Sequence, residues 1–206
     1  MSFYYPILNL LSLILFGVTG TFVYIQSVMP AHLEKNIGSI SYEICSKKRK
    51  NARLLLSISS LNFFIYNIIP INIWPLNSHI FNHYGIPDYV TSSLVSLIPL
   101  IPGILVFILG RKVLGKESES PKKFRKIVDI GIYSKVRHPQ LLGELLLFYF
   151  ISFFMNSIFL LFFTSIFWVP AYLTWCHFEE KDLLLRYGFT YEEYKKRTKK
   201  LIPFIF

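Results

Sequence analysis

Long runs of apolar residues, broken at intervals by short basic or polar segments, set the pattern of this chain. Pro6 to Val28 contains no charged residue, and neither do Leu54 to Trp74, Ser92 to Gly110 or Ile158 to Cys176. Leu141 to Met155 contains only Glu144. Each approaches the roughly 20 residues a helix needs to cross a bilayer, so the pattern predicts an all-α polytopic membrane protein with about five transmembrane helices. The first stretch lacks a basic leader and a small-residue cleavage site, which predicts a retained anchor rather than a signal peptide. Asn156-Ser157 separates the last two stretches and predicts the turn of a helical hairpin. Pro30 and Gly38 loosen the chain after the first stretch, and Pro70 and Pro75 end or kink the second. Trp74, Tyr84 and Tyr89 then fit an interfacial outer loop. Pro99, Pro102 and Gly103 interrupt the third stretch, where neighbouring helices can satisfy the freed backbone groups.

Composition agrees with this reading: 53% of the 206 residues are hydrophobic and 17% aromatic, with a mean hydropathy of +0.45. The net charge of +10 is informative through its placement. Lys47, Lys48, Arg49, Lys50 and Arg53 follow the first stretch; Arg111, Lys112, Lys116, Lys122, Lys123, Arg125 and Lys126 follow the third. Lys195, Lys196, Arg197, Lys199 and Lys200 follow the fifth, while the segments before the first stretch and between the second and third have no lysine or arginine. This alternation predicts the amino terminus outside and both basic loops and the carboxyl terminus in the cytoplasm. The bases are therefore assigned to topology and anionic headgroups, not to nucleic acid. Cys45 and Cys176 have no metal-like spacing and are assigned no role; no metal site is expected.

The linker Gly115 to Pro121 divides three anchor helices (1–114) from a region (115–206) with a denser polar signature. There, G-I-Y at 131–133 is followed by R-H-P-Q-L-L-G-E at 137–144 and by the apolar hairpin. Next come Glu179-Glu180, Leu183-Leu184, Tyr187-Gly188, Tyr191, Tyr194, Arg197 and Ile202-Pro203. From Glu179 to about Lys200 the pattern predicts a helix, a turn near Gly188 and a second short helix, with i,i+4 pairs Asp182–Arg186, Glu192–Lys196 and Glu193–Arg197. Glu179 and Glu180 have no cation at i±4 and need another partner at the membrane boundary. Glu144 is expected to pair with Arg137, and Pro139 to open a helix behind His138. Tyr187, Tyr191 and Tyr194 are read as packing residues, and the tail from Pro203 to Phe206 as a lid or lipid anchor.

In this last third, from Gly131 to Pro203 without a gap, the chain resembles the isoprenylcysteine carboxyl methyltransferase and phospholipid methyltransferase superfamily of integral membrane enzymes. The resemblance implies S-adenosyl-L-methionine as donor, bound on the cytoplasmic side under re-entering carboxyl-terminal helices. It implies cofactor-binding roles for Arg125, Lys126, Ile127, Val128, Tyr133, His138, Pro139, Gln140, Leu141 and Glu179. It places Arg137, His138 and Glu180 in catalytic positions. Two departures stand out: Leu141 replaces the family's aromatic residue, and Trp175 stands where prenylcysteine enzymes have a substrate-contacting arginine. The acceptor implied is lipidic or lipid-attached, such as a prenylated carboxylate, a phospholipid amine, an isoprenoid acid or a small thiol.

Two other readings stay open. Membrane sterol and steroid reductases use NADPH and share a similar R-H-P segment, but usually carry D-E-x-x-C where this chain has Glu179-Glu180 and Leu183. A non-catalytic, lipid-binding relative is the other, kept by Leu141 and Trp175. No G-x-G-x-x-G after a strand, H-E-x-x-H, G-x-S-x-G or P-loop occurs.

Overall fold

The computed structural model describes residues 4–68, 78–84, 86–115 and 127–202. Within them the chain is all-α apart from a two-residue β-hairpin, Asn82–His83 with Ile86–Pro87. Seven α-helices follow one another: α1 Tyr4–Ser27, α2 Pro30–Ile37, α3 Ile40–Ile68, α4 Tyr89–Leu114 and α5 Pro139–Phe154, then α6 Ile158–Tyr187 and α7 Phe189–Arg197. Tyr5–Ser27, Tyr89–Leu114 and Ile158–Tyr187 are long and apolar enough to cross a membrane. The expected second span begins inside α3, whose first half carries the basic run, and extends past residue 68 beyond the described residues. α5 has 16 residues, about 24 Å of helix and shorter than a full bilayer core.

Two tight seams organise the helices. Along α1 and α3, Asn9 Nδ2 donates to the Asn62 carbonyl at 3.1 Å, Asn62 Nδ2 to Ser12 Oγ at 2.6 Å, and Ser59 Oγ to the Leu13 carbonyl at 2.8 Å. Small residues and interhelical polar contacts of this kind replace the hydrophobic effect where lipid is the solvent. Along α4 and α5, a Cβ on Gly143 would lie 2.9 Å from the Gly103 carbonyl oxygen and 2.7 Å from Phe107 Cβ. Only glycine permits that approach. Pro99 and Pro102 lie inside an unbroken α4, and Gly103 beside them packs against Gly143 and Leu146 of α5.

The α5–α6 turn is at Asn156-Ser157, as expected. Asn156 has φ +53°, a conformation asparagine tolerates better than most residues. Its fully buried amide clamps the segment ahead of α4: Oδ1 accepts from Phe81 N at 2.7 Å and Nδ2 donates to the Phe81 carbonyl at 2.9 Å. Ser157 then caps α6. Thr164–Trp168 widens to π geometry just ahead of Pro170, which relieves the proline's clash with the preceding turn. Gly188, at φ +52°, ends α6 and reverses the chain into α7. Beyond α7 the chain runs parallel to Lys135–His138: Arg137 N donates to the Lys199 carbonyl at 2.8 Å and His138 N to the Lys200 carbonyl at 3.1 Å.

The i,i+4 ion pairs differ in part from expectation, and Asp182, expected on a solvated face, is buried. Asp182–Arg186 forms, with Nε to Oδ2 at 2.6 Å. Lys196 pairs with Glu193 at 2.9 Å rather than with Glu192. Arg197 reaches Asp129 at 2.7 Å rather than Glu193, because the carboxyl-terminal strand draws the end of α7 towards the segment before Gly131.

Candidate functional site

The same strand contact positions the polar signature. Gly131–Ser134 forms a single 3-10 turn that buries Tyr133, and Tyr194 Oη donates to the Tyr133 carbonyl at 2.7 Å. Burial raises the Tyr194 hydroxyl to about 12, so it remains a donor across physiological pH. His138 is the residue before α5, with Pro139 in the first helical position. That proline needs no hydrogen bond, and it turns the histidine towards α6.

His138 meets both glutamates. Nδ1 lies 3.3 Å from Glu179 Oε2 and Nε2 3.4 Å from Glu180 Oε1. Burial pushes its pKa down, but the Cys176 sulfur and the two carboxylates outweigh burial and hold the imidazole well above the usual histidine value. Arg137 shares that Glu180 oxygen, Nε to Oε1 at 2.8 Å, and its guanidinium also donates to the Lys195 and Thr198 carbonyls. Lys195 Nζ is 3.5 Å from Glu180 Oε2. These are the partners that the paired glutamates lacked along their own helix. The expected Arg137–Glu144 pair does not form: Glu144 Oε2 accepts from Tyr172 Oη at 3.0 Å instead.

Glu179 and Glu180 face different surroundings. The side chain of Glu180 is 3% exposed and that of Glu179 is 23%. Glu179 Oε1 accepts from Tyr24 Oη at 3.2 Å, and Glu179 borders a cavity of about 820 Å³. Ile127, Val128, Tyr133, Arg137, His138, Gln140, Leu141 and Trp175 line the same cavity. Glu180 and Pro139 are not among the lining residues; Pro139 is buried against α4, where a Cβ on Gly110 would meet its Cγ at 3.3 Å. Arg125, Lys126 and the tail from Pro203 lie outside the described residues.

Other lining residues come from the anchor helices and were not singled out in the sequence. Tyr24 of α1 packs at a tilt against Trp175, 4.5 Å between centroids, and Trp175 likewise against Tyr172 at 4.6 Å. Arg49 and Arg53 of α3 and Arg111 of α4 reach the cavity; in the sequence they are indistinguishable from neighbouring bases that mark topology. Tyr187, Tyr191 and Tyr194, read from the sequence as packing residues, also line it. Several lining residues hold a buried polar atom without a hydrogen bond: Arg49 Nε, Gln140 Nε2, Trp168 Nε1, Trp175 Nε1 and Tyr191 Oη. Buried polar groups are nearly always paired in folded proteins. Their concentration around one cavity suits a ligand that brings acceptors. The described residues contain no group of histidine, cysteine and acidic side chains placed to hold a metal ion.

Comparison of the chain with family models, with curated proteins and with solved structures finds no match.

Proposed function

We propose that this chain is an S-adenosyl-L-methionine-dependent methyltransferase of the membrane, acting on a lipidic or lipid-attached acceptor. One observation carries the reading: Tyr133, His138, Gln140 and Leu141, from the stretch that leads into α5, and Glu179, from α6, border one cavity beside Trp175. Its volume, about 820 Å³, lies within the range of small-molecule sites. When bound, the donor supplies a methyl group on a positively charged sulfur that departs as a neutral thioether.

The residues present suit such a ligand. Glu179 offers a carboxylate that can accept from an ammonium or a ribose hydroxyl, while Gln140 Nε2 and Tyr191 Oη are donors for acceptor atoms. The Tyr24–Trp175–Tyr172 aromatic cluster gives an apolar wall that excludes water. An anionic acceptor attacking the sulfonium neutralises charge on the way to the transition state, which such a site favours, and rate then depends on holding the reacting atoms in line. Arg137 and Glu180 act as a strut: their ion pair, with the Lys195 and Thr198 carbonyls, fixes the carboxyl-terminal strand against His138. In this reading the chain has five spans, with the amino terminus outside and the cavity opening to the cytoplasmic side. The placement of Lys47–Arg53 and Lys195–Lys200 supports that orientation.

Calorimetric titration of the detergent-purified protein with donor is expected to show saturable binding. His138→Ala and Glu179→Ala should each weaken it about tenfold or more, the loss expected for a charge-assisted hydrogen bond. Unchanged affinity in both variants refutes the site, and affinity for NADPH with none for the donor moves the chain to the reductases.

A further inference from the structure

The cavity has a second wall, supplied by the anchor helices. α1 packs along α3 and α4 along α5, but among the described residues α3 has no extended contact with α4 or α5. The cavity occupies that gap. Leu56, Ser57 and Ser60 of α3 face it on one side, and Phe107 of α4 with Leu147 and Ile151 of α5 on the other. It is a slot between two helical hairpins, apolar along most of its walls.

Its rim is basic. Arg49 is half-buried, its guanidinium carbon 5.8 Å from the centroid of the Tyr24 ring, and its Nε is buried without a hydrogen bond. Arg53, one turn along α3, and Arg111, near the end of α4, stand at the same cavity. Both interact electrostatically with Glu144, so they are not without partners. The remaining charges at the cavity are matched more closely: Arg186 with Asp182, Arg137 with Glu180, Glu179 with His138. Arg49, Arg53 and Arg111 thus reach the cavity from two helices, Arg49 interacting with Glu179 and the other two with Glu144 among their partners. Among the described lining residues arginines outnumber carboxylates five to three, and arginine forks fit the oxygens of a phosphate.

We propose that the slot takes an amphiphile with a net-anionic, phosphate-bearing headgroup, read by Arg49, Arg53 and Arg111, with its apolar chain lying between α3 and the α4–α5 pair. As a statement about the methyl acceptor this rests on the methyltransferase reading; as a statement about binding it does not. It separates the chain's ligand from zwitterionic lipids of the same chain length.

The test is native mass spectrometry of the full-length protein released from detergent, titrated with dioleoylphosphatidylglycerol or dioleoylphosphatidylcholine. Wild type is expected to prefer the anionic lipid by about tenfold, and Arg49→Gln, Arg53→Gln and Arg111→Gln each to reduce that preference about fivefold, in line with partly exposed charge pairs. Lys47→Gln removes one exposed charge paired with Glu43 and should leave the preference intact. Unfolding temperatures in detergent identify any variant that has failed to fold, and Arg→Lys replacements then take its place. Equal binding of the two lipids overturns the proposal, as does a loss in Lys47→Gln equal to that in the arginine variants. So does retention of lipid preference in arginine variants that have lost donor affinity, since the arginines then serve the donor. Anionic preference lost on Arg→Gln, in a protein with no donor affinity, upholds the headgroup site and ends the methyltransferase reading.

Discussion

His138 is held between Glu179 and Glu180 with both ring nitrogens facing carboxylate oxygen. An imidazole in that position is stabilised as the cation. Its folded-state pKa lies above the unfolded value of about 6.5, so its contribution to stability is complete below that value and declines as pH rises through the raised one. The unfolding temperature in detergent should therefore fall as pH is increased from about 6 into the alkaline range. His138→Gln should flatten that dependence while lowering stability at the acidic end, and an unchanged slope would show that other groups carry it. At the same scale, Glu179 and Glu180 are adjacent in sequence and chemically alike, yet one borders the cavity and the other is sealed behind it by Arg137. The pair as a signal was legible in the sequence. The division of labour was not, because it depends on where the strand after α7 places the Arg137 guanidinium.

At the scale of elements, glycine and proline act through contact rather than through breakage. Gly143 lets α5 lie against α4 with the Gly103 carbonyl oxygen 2.9 Å from where a Cβ would be. Because that neighbour is backbone and cannot rotate away, Gly143→Val should destabilise the protein by about 1–3 kcal/mol, measured as a lowered unfolding temperature. Gly188→Ala meets no nearby atom and strains only a positive φ, so its effect should be smaller. Pro99 and Pro102 lie within α4 without ending it. In lipid a proline's lost hydrogen bond is tolerated when neighbouring helices protect the backbone, and α5 lies along this part of α4. An interruption of regular helix falls in α6, as a π stretch ahead of Pro170 that the hydropathy pattern does not reveal.

At the scale of the molecule, the described residues give three helices able to cross a membrane, and the orientation proposed above is open to direct measurement. Both native cysteines, Cys45 and Cys176, are fully buried, so single added cysteines can be labelled over a low background. Tyr84→Cys, at a residue 97% exposed in the hairpin between α3 and α4, should react with a membrane-impermeant maleimide on intact cells. Lys47→Cys should react only after permeabilisation. The reverse pattern would invert the topology and place the cavity on the outer side.

The apolar runs, the Asn156-Ser157 turn, the Gly188 turn and the polar residues of the last third that border the cavity were readable from the chain, because each is written in local composition or in spacing along the sequence. The pairing of Arg137 with Glu180 instead of Glu144, the exclusion of Glu180 from the cavity, and the arrival of Tyr24, Arg49, Arg53 and Arg111 at its wall were decided by tertiary structure. Those contacts join residues tens of positions apart, and their geometry follows from two glycine- and serine-lined seams and one backbone strand. The helix pattern names the elements; the seams determine which faces meet.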